Sequence, residues 1–280
     1  DYMETAIYNA LMASLKADAS QIAKYSPLEG WRHEGEEQCG MHINCCNANG
    51  PRAFAMIPQF AYQVQDDCVR VNFYAPSEAE LVLPGKKPVR LKQTTDYPQT
   101  DQIEIEVDPA KETAFTIALR IPAWSKIAVV SVNGQPQDGV LQGAYLPVNR
   151  KWKKGDRITV KLDLRARLVE RNQAQAIVRG PIVLARDSRF GDGFVDEASV
   201  VVSKDGYVEL TPVKAPGFAW LAFTAPMVLG TDLESNRAPK QIHFCDFASA
   251  GNTWDKTQRY RVWLPKTLNV MHSPYRPYNQ

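Results

Sequence analysis

The N-terminal part of the chain has the hydrophobic spacing of an amphipathic helix. Met3, Ile7, Leu11 and Leu15 recur every four residues. Side chains at this spacing fall on one face of an α-helix. We expect this helix to pack its apolar stripe against other helices.

A second helix is predicted after a loop at residues 26–30. Asn49 is a favourable N-cap residue, and Pro51 fits the first turn of a helix. The helix would continue through residues 54–57. Pro58 has no backbone N–H, so we expect the helix to stop or kink there.

From about Phe60 onward, hydrophobic residues alternate with polar ones, which is typical of strands with one buried face. The alternating runs lie at 69–73, 89–91, 103–107, 115–121, 130–132 and 158–164, and further strand-like runs lie at 177–184, 200–202, 207–210, 220–223 and 259–264. The dipeptide Asn133-Gly134 predicts a type I′ hairpin turn. Short strands at this spacing predict an antiparallel β-sandwich or jelly roll.

The predicted fold class is therefore mainly β, with antiparallel β-sandwich or jelly-roll domains after a short helical segment. We predict three parts. Residues 1–62 are a helical segment with a Cys-Cys loop, residues 63–172 are a first β-sandwich, and residues 173–280 are a second β-sandwich with a C-terminal tail.

The charge balance and the hydropathy of the chain bear on two classes of binding partner, nucleic acids and membranes. The 280 residues include 33 Lys and Arg against 31 Asp and Glu, a net charge of +2 that is spread along the chain. This balance predicts no nucleic-acid partner. No apolar run approaches the roughly 20 residues of a membrane helix, so no membrane partner is predicted. The chain starts at Asp1 without a visible signal peptide, and an upstream segment is expected to have been removed or to belong to a longer protein.

Chemically active side chains are concentrated in residues 37–52. Cys39, His42, Cys45 and Cys46, together with Glu37, are residue types that zinc accepts as ligands. The spacing is not that of a standard zinc finger, and adjacent cysteines rarely both reach one ion from regular structure. Zinc binding is therefore one of three interpretations of this run.

The other two interpretations concern the thiols alone. Cys45 and Cys46 precede the predicted helix start, where the positive end of the helix dipole lowers a thiol pKa, so one of them is a candidate nucleophile. Alternatively, the pair is structural, either as buried thiols or as a vicinal disulfide. The neighbouring Asn44, Asn47 and Asn49 fit a lined pocket better than a core.

The pattern Cys45-Cys46-x-x-Asn49-x-x-Arg52 resembles glycoside hydrolase family 127 and its relative family 146, which include β-L-arabinofuranosidases. The resemblance continues downstream over nearly the whole chain. It includes the motifs at 71–78, 119–124, 132–134, 150–156, 179–183 and 261–265. The resemblance implies an (α/α)6 barrel followed by β-sandwich domains, of which this chain would hold the last barrel helices and the sandwiches. An upstream helical barrel segment is therefore expected as a partner.

The resemblance also implies roles for individual residues. Cys45 would be the nucleophile and a zinc ligand, and Cys46 a second zinc ligand, in a retaining reaction through a thioglycosyl intermediate. The candidate substrate-binding residues are His42, Tyr25, Asn49 and Arg52. Tyr25 is included because a family tyrosine before the Pro-Leu loop falls on residue 24 or 25.

This sequence departs from the family pattern at several positions. The other two zinc ligands, a Glu-x-Cys pair, and the acid/base glutamate of the family lie upstream of anything that matches Asp1. Ile43 replaces a family cysteine, and Asn47 and Ala48 replace two prolines. Glu37-Gln38-Cys39 has the composition of the Glu-x-Cys pair but not its place in the sequence.

Two hypotheses follow for the function. The first is the C-terminal part of a glycoside hydrolase that acts on plant-type glycans such as β-L-arabinofuranosides, with an oligosaccharide as substrate and zinc as cofactor. Such a chain would be inactive alone. The alternative is a non-catalytic carbohydrate-binding β-sandwich module with structural cysteines.

Overall fold

The computed structural model describes residues 1–34, 45–230 and 238–267. The described chain is mainly β, which confirms this part of the predicted fold class. It divides into two compact units. The first unit comprises Asp1–Glu4 and Ala48–Leu164, and the second comprises the described parts of Thr5–Asn47 and Arg165–Gln280. No helix in the described ranges is long and apolar enough to cross a membrane.

The helical elements are short except for one. Helix α1 (Tyr2–Ala6) continues into a π-helical turn (Ile7–Leu11), helix α2 spans Cys45–Ala61, and a 3-10 turn spans Ser188–Phe190. The strands are β1 Glu29–Gly30, β2 Tyr62–Gln65, β3 Cys68–Val71, β4 Ser77–Leu83, β5 Lys87–Thr94, β6 Gln102–Pro109, β7 Thr113–Arg120, β8 Val129–Val132, β9 Gln135–Pro136, β10 Tyr145–Trp152, β11 Asp156–Lys161, β12 Ala166–Arg171, β13 Ala174–Arg179, β14 Ile182–Asp187, β15 Ser199–Val201, β16 Tyr207–Val208, β17 Thr211–Pro212, β18 Ala222–Leu229, β19 Lys240–Asp246, β20 Tyr260–Arg261 and β21 Leu264–Pro265.

The first unit contains two sheets. One has four strands in the order β10-β7-β3-β2, with β3 parallel to β7, and the other has six in the order β4-β5-β6-β11-β8-β9. Alternate residues of these strands are buried, as the period-two pattern predicts. In β6, for example, Ile103, Ile105 and Val107 are buried while Glu104 and Glu106 are partly exposed.

The second unit is built on an eleven-stranded sheet with the main order β15-β18-β19-β14-β13-β12-β16. The predicted run 177–184 is two strands, β13 and β14, because Gly180, with a φ of 56°, turns the chain between them. Asn9 fixes the N-terminal helical turn on this sheet. Its amide donates to the carbonyl of Pro181 (2.8 Å) and accepts from the N–H of Val183 (2.8 Å).

The buried face of the N-terminal segment differs from the predicted apolar stripe. Met3 is 48% exposed, whereas the polar residues Glu4 and Asn9 are buried. Glu4 accepts hydrogen bonds from Arg120 (2.7 Å) and from Tyr97 (2.8 Å). A carboxylate that accepts such hydrogen bonds can be buried at low cost. Hydrophobic periodicity does not take these bonds into account, so it predicted the wrong buried face for this helical segment.

Helix α2 is longer than predicted. It starts at Cys45 rather than near Asn49 and ends at Ala61, and both Pro51 and Pro58 lie inside it. Each proline removes one N–H from the helical ladder without ending the helix. None of the 17 residues of α2 is buried.

The Asn133-Gly134 turn has the predicted geometry. Both residues have positive φ, 50° and 79°, as a type I′ turn requires, and Val132 pairs with Gln135 across it. The Asn133 side chain also donates to Asp156 (2.8 Å) and accepts from the N–H of Arg157 (2.8 Å). The turn thus ties the β8–β9 hairpin to β11.

Replacing Asn133 with alanine is expected to lower the free energy of unfolding by about 2–3 kcal/mol, because alanine tolerates positive φ poorly and cannot make the two hydrogen bonds. Asn133→Gly keeps the backbone conformation and should cost less. Urea denaturation of both variants and of Gln135→Ala, an exposed neighbour, measures the difference. Equal stability of the alanine and unmodified chains would contradict the role given to this turn.

Candidate active site

The paired thiols lie at the start of helix α2. Cys45 is its first residue and is exposed, and Cys46 follows and is half-buried. Both are thiols, so the vicinal disulfide among the sequence interpretations is wrong for this structure. Their exposure also argues against burial in a core. A thiol in this position is accessible to a ligand.

The two sulfur atoms interact with each other. Burial raises the pKa of the Cys46 thiol, and the charge and hydrogen bond of the Cys45 thiol raise it further. The expectation that the helix N-terminus lowers a thiol pKa is therefore wrong for Cys46. The helix dipole is a partial charge, and the desolvation of the Cys46 sulfur, together with the neighbouring Cys45 thiol, outweighs it.

Lys24 is a site residue that the sequence interpretation missed. The Cys45 thiol raises the pKa of Cys46, whereas the ammonium group of Lys24 lowers it. The positive charge of Lys24 therefore acts on the Cys46 thiol. The backbone N–H of Lys24 donates to the carbonyl of Glu34 (2.8 Å), which fixes this segment beside residues 33–34.

Arg32 anchors the segment that leads toward the cysteines. Its side chain is 0% exposed, and its Nη1 donates to the carbonyls of Ala13 (2.6 Å) and Ala248 (3.0 Å). Its Nη2 donates to the carbonyl of Phe247. The guanidinium carbon also lies 4.7 Å from the ring centroid of Phe247 and 5.0 Å from that of Tyr260. Three distant parts of the second unit thus meet at one side chain.

Asn49 and Arg52 lie on α2 and are brought together. Arg52 Nη2 donates to Asn49 Oδ1 at 2.6 Å, and both side chains are exposed. Counting from Cys45, these residues stand at positions i+4 and i+7 of the helix, which lie on one helical face. They therefore extend the face that begins with the Cys45 thiol.

The remaining predicted residues are not joined to the thiols by any described contact. Tyr25 is 56% exposed, and it makes no hydrogen bond or ion pair with Cys45 or Cys46 within the described ranges. His42 lies outside the described residues, as do Glu37 and Cys39.

The fit to a zinc ion is partial. The adjacent, interacting thiols of Cys45 and Cys46 are ligands of the type that zinc prefers. Among residues 1–34, 45–230 and 238–267, no group of three or more His, Cys, Asp or Glu side chains could hold a metal ion. The described part of the chain therefore supplies two candidate ligands, and a tetrahedral site needs about two more.

Comparison with known proteins identifies the domain that follows α2. Residues 68–164 match the family model for the middle domain of GH127 β-L-arabinofuranosidases. Residues 68–164 are thus similar to the middle domain of glycoside hydrolase family 127. The match confirms the resemblance to family 127 that the sequence motifs suggested. It covers most of the first unit, from β3 to the end of β11 and the residues just after it.

Solved structures resemble a larger part of the chain. A GH127 β-L-arabinofuranosidase from Geobacillus stearothermophilus T6 superposes with a TM-score of 0.76 at 22% identity, over 94% of this chain and 45% of that one. A protein titled a glycoside hydrolase gives 0.75 at 23% identity, over 94% and 47%. A GH127 β-arabinofuranosidase gives 0.74 at 23% identity, over 94% and 45%.

These structures share the fold of this chain and are about twice as long. The GH127-like chain spans 45–47% of their lengths. No curated protein matches it in sequence.

Proposed function

We propose that this chain is the C-terminal portion of a retaining glycoside hydrolase that cleaves β-L-arabinofuranosides or related plant-type glycans. The observation that carries the proposal is the pair of interacting thiols in the first turn of α2, the helix that leads into the GH127 middle domain. The exposed Cys45 is the nucleophile, and Cys46 is its partner in metal binding.

The reaction proceeds by two displacements at the anomeric carbon. Cys45 Sγ forms a C–S bond as the glycosidic C–O bond breaks, and an acid outside this chain protonates the leaving oxygen. Water then attacks the same carbon and gives a proton to the group that acted as the acid, the C–S bond breaks, and the thiolate is regenerated. Two inversions give net retention of configuration, as in retaining glycosidases that use a carboxylate.

The metal expected at this site is zinc, held by Cys45 and Cys46 and by ligands outside the described residues. Zinc bound to a cysteine keeps the sulfur deprotonated at neutral pH. The chain's own contribution is to hold the two sulfurs side by side and to place the positive charge of Lys24 near Cys46.

The polar side chains on the same helical face supply candidate substrate contacts. The amide of Asn49 and the guanidinium of Arg52, joined at 2.6 Å, suit the hydroxyl groups of a sugar. Tyr25 and His42 are proposed as further contacts. The ring of Tyr25 is exposed, so the face of a sugar ring can stack against it.

The rest of the catalytic site is proposed to lie in an upstream helical barrel. The solved relatives are about twice as long as this chain, and α2 has no buried residue although Met56 and Phe60 are large and apolar. Helices of that barrel would cover α2 and bring the general acid and the remaining zinc ligands. The isolated chain is accordingly expected to be inactive.

The proposal is tested by the stereochemistry of the reaction. The protein with its upstream segment is incubated with an aryl β-L-arabinofuranoside, and proton NMR follows the first-formed anomer. A β-configured product is expected. An α-configured first product, or binding of the aryl β-L-arabinofuranoside without any hydrolysis, would contradict the proposal, and the second result would favour the carbohydrate-binding module.

Zinc content gives an independent check. The protein with its upstream segment is expected to contain about one zinc per chain by plasma mass spectrometry, and Cys46→Ala to lose most of it. Cys68→Ala is the matched control, since Cys68 is a half-buried thiol on β3. Equal zinc in the Cys46 and Cys68 variants would remove Cys46 from the ligand set.

A further inference from the structure

The sequence motif at 261–265 has no part in the proposed reaction. Its first residue, Arg261, belongs to β20 and is buried. Strand β20 pairs antiparallel with the two-residue strand β1, and Arg261 stands opposite Glu29 in this pair. Strand β1 lies within residues 24–34, the segment that leads toward the cysteines. The motif therefore packs directly against that segment.

The guanidinium group of Arg261 uses all three of its nitrogens. Its Nη2 lies 2.8 Å from Oε2 of Glu29, and its Nη1 donates to Oδ1 of Asp196 at 2.6 Å. Its Nε donates to the carbonyl of Trp263 at 2.7 Å. Charge-assisted hydrogen bonds are stronger than neutral ones, and the planar guanidinium fixes their directions. Arg261 thus joins the loop that contains β1 to the loop that precedes β15.

The residues on either side of Arg261 hold the same loop by its backbone. Tyr260 Oη donates to the carbonyl of Pro27 at 2.6 Å, and the N–H of Val262 donates to the carbonyl of Leu28 at 2.8 Å. Three consecutive residues of the loop are therefore each held by one of three consecutive residues around β20. We call these three contacts the β20 latch.

Tyr25 lies two residues before the β20 latch. On its other side, the N–H of Lys24 donates to the carbonyl of Glu34 at 2.8 Å, which closes the base of the loop. The backbone of Tyr25 is therefore held from both directions, while its side chain is 56% exposed. A side chain on a fixed backbone meets a ligand with little loss of conformational freedom.

The ion pair is the charged contact of the β20 latch. The Glu29 side chain is 39% exposed, so water can solvate its carboxylate once the guanidinium is removed. The loop would then be held by the neutral hydrogen bonds of its backbone, which are weaker. Removal of the Arg261 guanidinium should therefore make the loop open more often.

We infer that Arg261 is a positioning residue for the candidate active site, because it holds the loop that presents Tyr25 to the sugar. The inference rests on the proposed function, which gives Tyr25 its role as a sugar contact. The side chain of Arg261 bonds to Glu29, Asp196 and Trp263, which lie outside the proposed site residues. Its effect on the sugar is therefore transmitted by the loop.

Binding of a nitrophenyl β-L-arabinofuranoside, measured by isothermal titration calorimetry, tests the inference. All proteins carry the upstream segment and Cys45→Ala, so that the probe is not turned over. The variants are Tyr25→Ala, Arg261→Met and the two combined. Methionine keeps the apolar part of the arginine side chain and removes the guanidinium. Arg171→Met is the matched control, since Arg171 is an exposed arginine of the same unit.

Arg261→Met and Tyr25→Ala are each expected to weaken the Kd about tenfold, and the control to leave it unchanged. The combined variant should bind within about twofold of Tyr25→Ala, because a residue that acts through the Tyr25 ring has no effect once the ring is removed. A purely structural role would add its own loss to that of Tyr25. An unchanged Kd in Arg261→Met, or additive losses, would overturn the inference.

Hydrogen exchange tests the β20 latch without any sugar. The amide of Val262 should exchange at least about tenfold faster in Arg261→Met than in Arg171→Met. Arg261→Lys keeps a positive charge opposite Glu29 and should recover part of the protection and part of the Kd. Equal exchange in the two methionine variants would show that Arg261 does not hold the loop.

Glu29→Gln removes the same ion pair from the other side. Glu29 is partly exposed, so this variant leaves no buried carboxylate unpaired and should fold even where Arg261→Met does not. It is expected to weaken the Kd and to speed the exchange of the Val262 amide. An unchanged Kd and unchanged exchange in Glu29→Gln would also overturn the inference.

The two proposals fail separately. If the protein with Cys45 intact neither binds nor cleaves the probe, the proposed function is overturned, and exchange at Val262 still decides whether Arg261 holds the loop. Sugar release by that protein, with a Kd that Arg261→Met leaves unchanged, would overturn this inference alone.

Discussion

Replacing Cys45 with alanine is expected to reduce kcat for sugar release by at least about 10³-fold, because alanine cannot form the bond to the anomeric carbon. The measurement is release of nitrophenol from a nitrophenyl β-L-arabinofuranoside by the protein with its upstream segment. KM should change much less than kcat, because the sugar contacts of the other residues are kept. A fall in kcat with little change in KM thus distinguishes removal of the nucleophile from disruption of the substrate-binding residues.

Two further variants sharpen this result. Cys68→Ala removes a thiol from β3 and should leave kcat unchanged. In Cys45→Ala, added azide can take the place of the missing nucleophile. We expect azide to restore activity and to give a glycosyl azide of inverted configuration, because it attacks the anomeric carbon from the side of the missing thiol. A kcat for Cys45→Ala within tenfold of the unmodified enzyme would remove Cys45 from the nucleophile role.

Replacing Arg32 with alanine is expected to lower the free energy of unfolding by about 3–4 kcal/mol. The substitution leaves the carbonyls of Ala13 and Ala248 without this donor, and the Phe247 carbonyl keeps only the N–H of Ala250 (3.2 Å). It also removes the contact with the Phe247 and Tyr260 rings. Chemical denaturation followed by tryptophan fluorescence gives the value. Sugar release should also fall, because Arg32 fixes the segment that carries Lys24 and Glu34.

Arg171→Ala provides the matched control, since Arg171 is an exposed arginine of the same unit. It should change the free energy of unfolding by less than about 0.5 kcal/mol. Arg32→Lys should lie between the two, because lysine keeps the charge but lacks the planar fork that reaches several carbonyls. If Arg32→Ala and Arg171→Ala were equally stable, the anchoring role of Arg32 would be wrong.

The buried location of Arg32 also explains its electrostatics. Burial lowers the pKa of the Arg32 guanidinium, and the neighbouring Tyr260 acts in the opposite direction. The backbone carbonyls and aromatic faces around it replace the water that a charge loses on burial. A neutral residue of similar size would remove the desolvation cost but would also remove the donor to the carbonyls of Ala13 and Ala248.

Much of the β architecture follows from local patterns. The period of two at 103–107 and at 115–121 predicts β6 and β7, and the Asn133-Gly134 pair predicts a turn whose φ values require those residue types. These features depend on neighbours in the sequence, since side-chain alternation and turn strain are properties of a few adjacent residues. The strands β4 and β10 were missed. In β10, Arg150 interrupts the apolar series of Leu146, Val148 and Trp152, whereas β4 has a regular alternation with Glu78 and Glu80 at its exposed positions.

The helical part shows where local patterns are insufficient. The apolar stripe at Met3, Ile7 and Leu11 would bury a hydrophobic face, yet the chain buries Glu4 and Asn9 because their partners come from residues 97–120 and 181–183. Likewise, Pro51 predicts a helix start and Pro58 a stop or kink, whereas both lie inside α2. Contacts distant in sequence decided the burial of Glu4 and Asn9.

The sequence by itself identified the Cys45-Cys46 pair, the change from helical to strand periodicity near Phe60, and the resemblance to family 127. These depend on residue types and spacings, which the linear chain already contains. Only the tertiary structure revealed that the charge of Lys24 reaches Cys46 and that Arg32 donates to the carbonyls of Ala13, Phe247 and Ala248. Those relations join residues far apart in the chain, and the physical reason is that electrostatic and hydrogen-bond energies depend on distance in space rather than on separation in sequence.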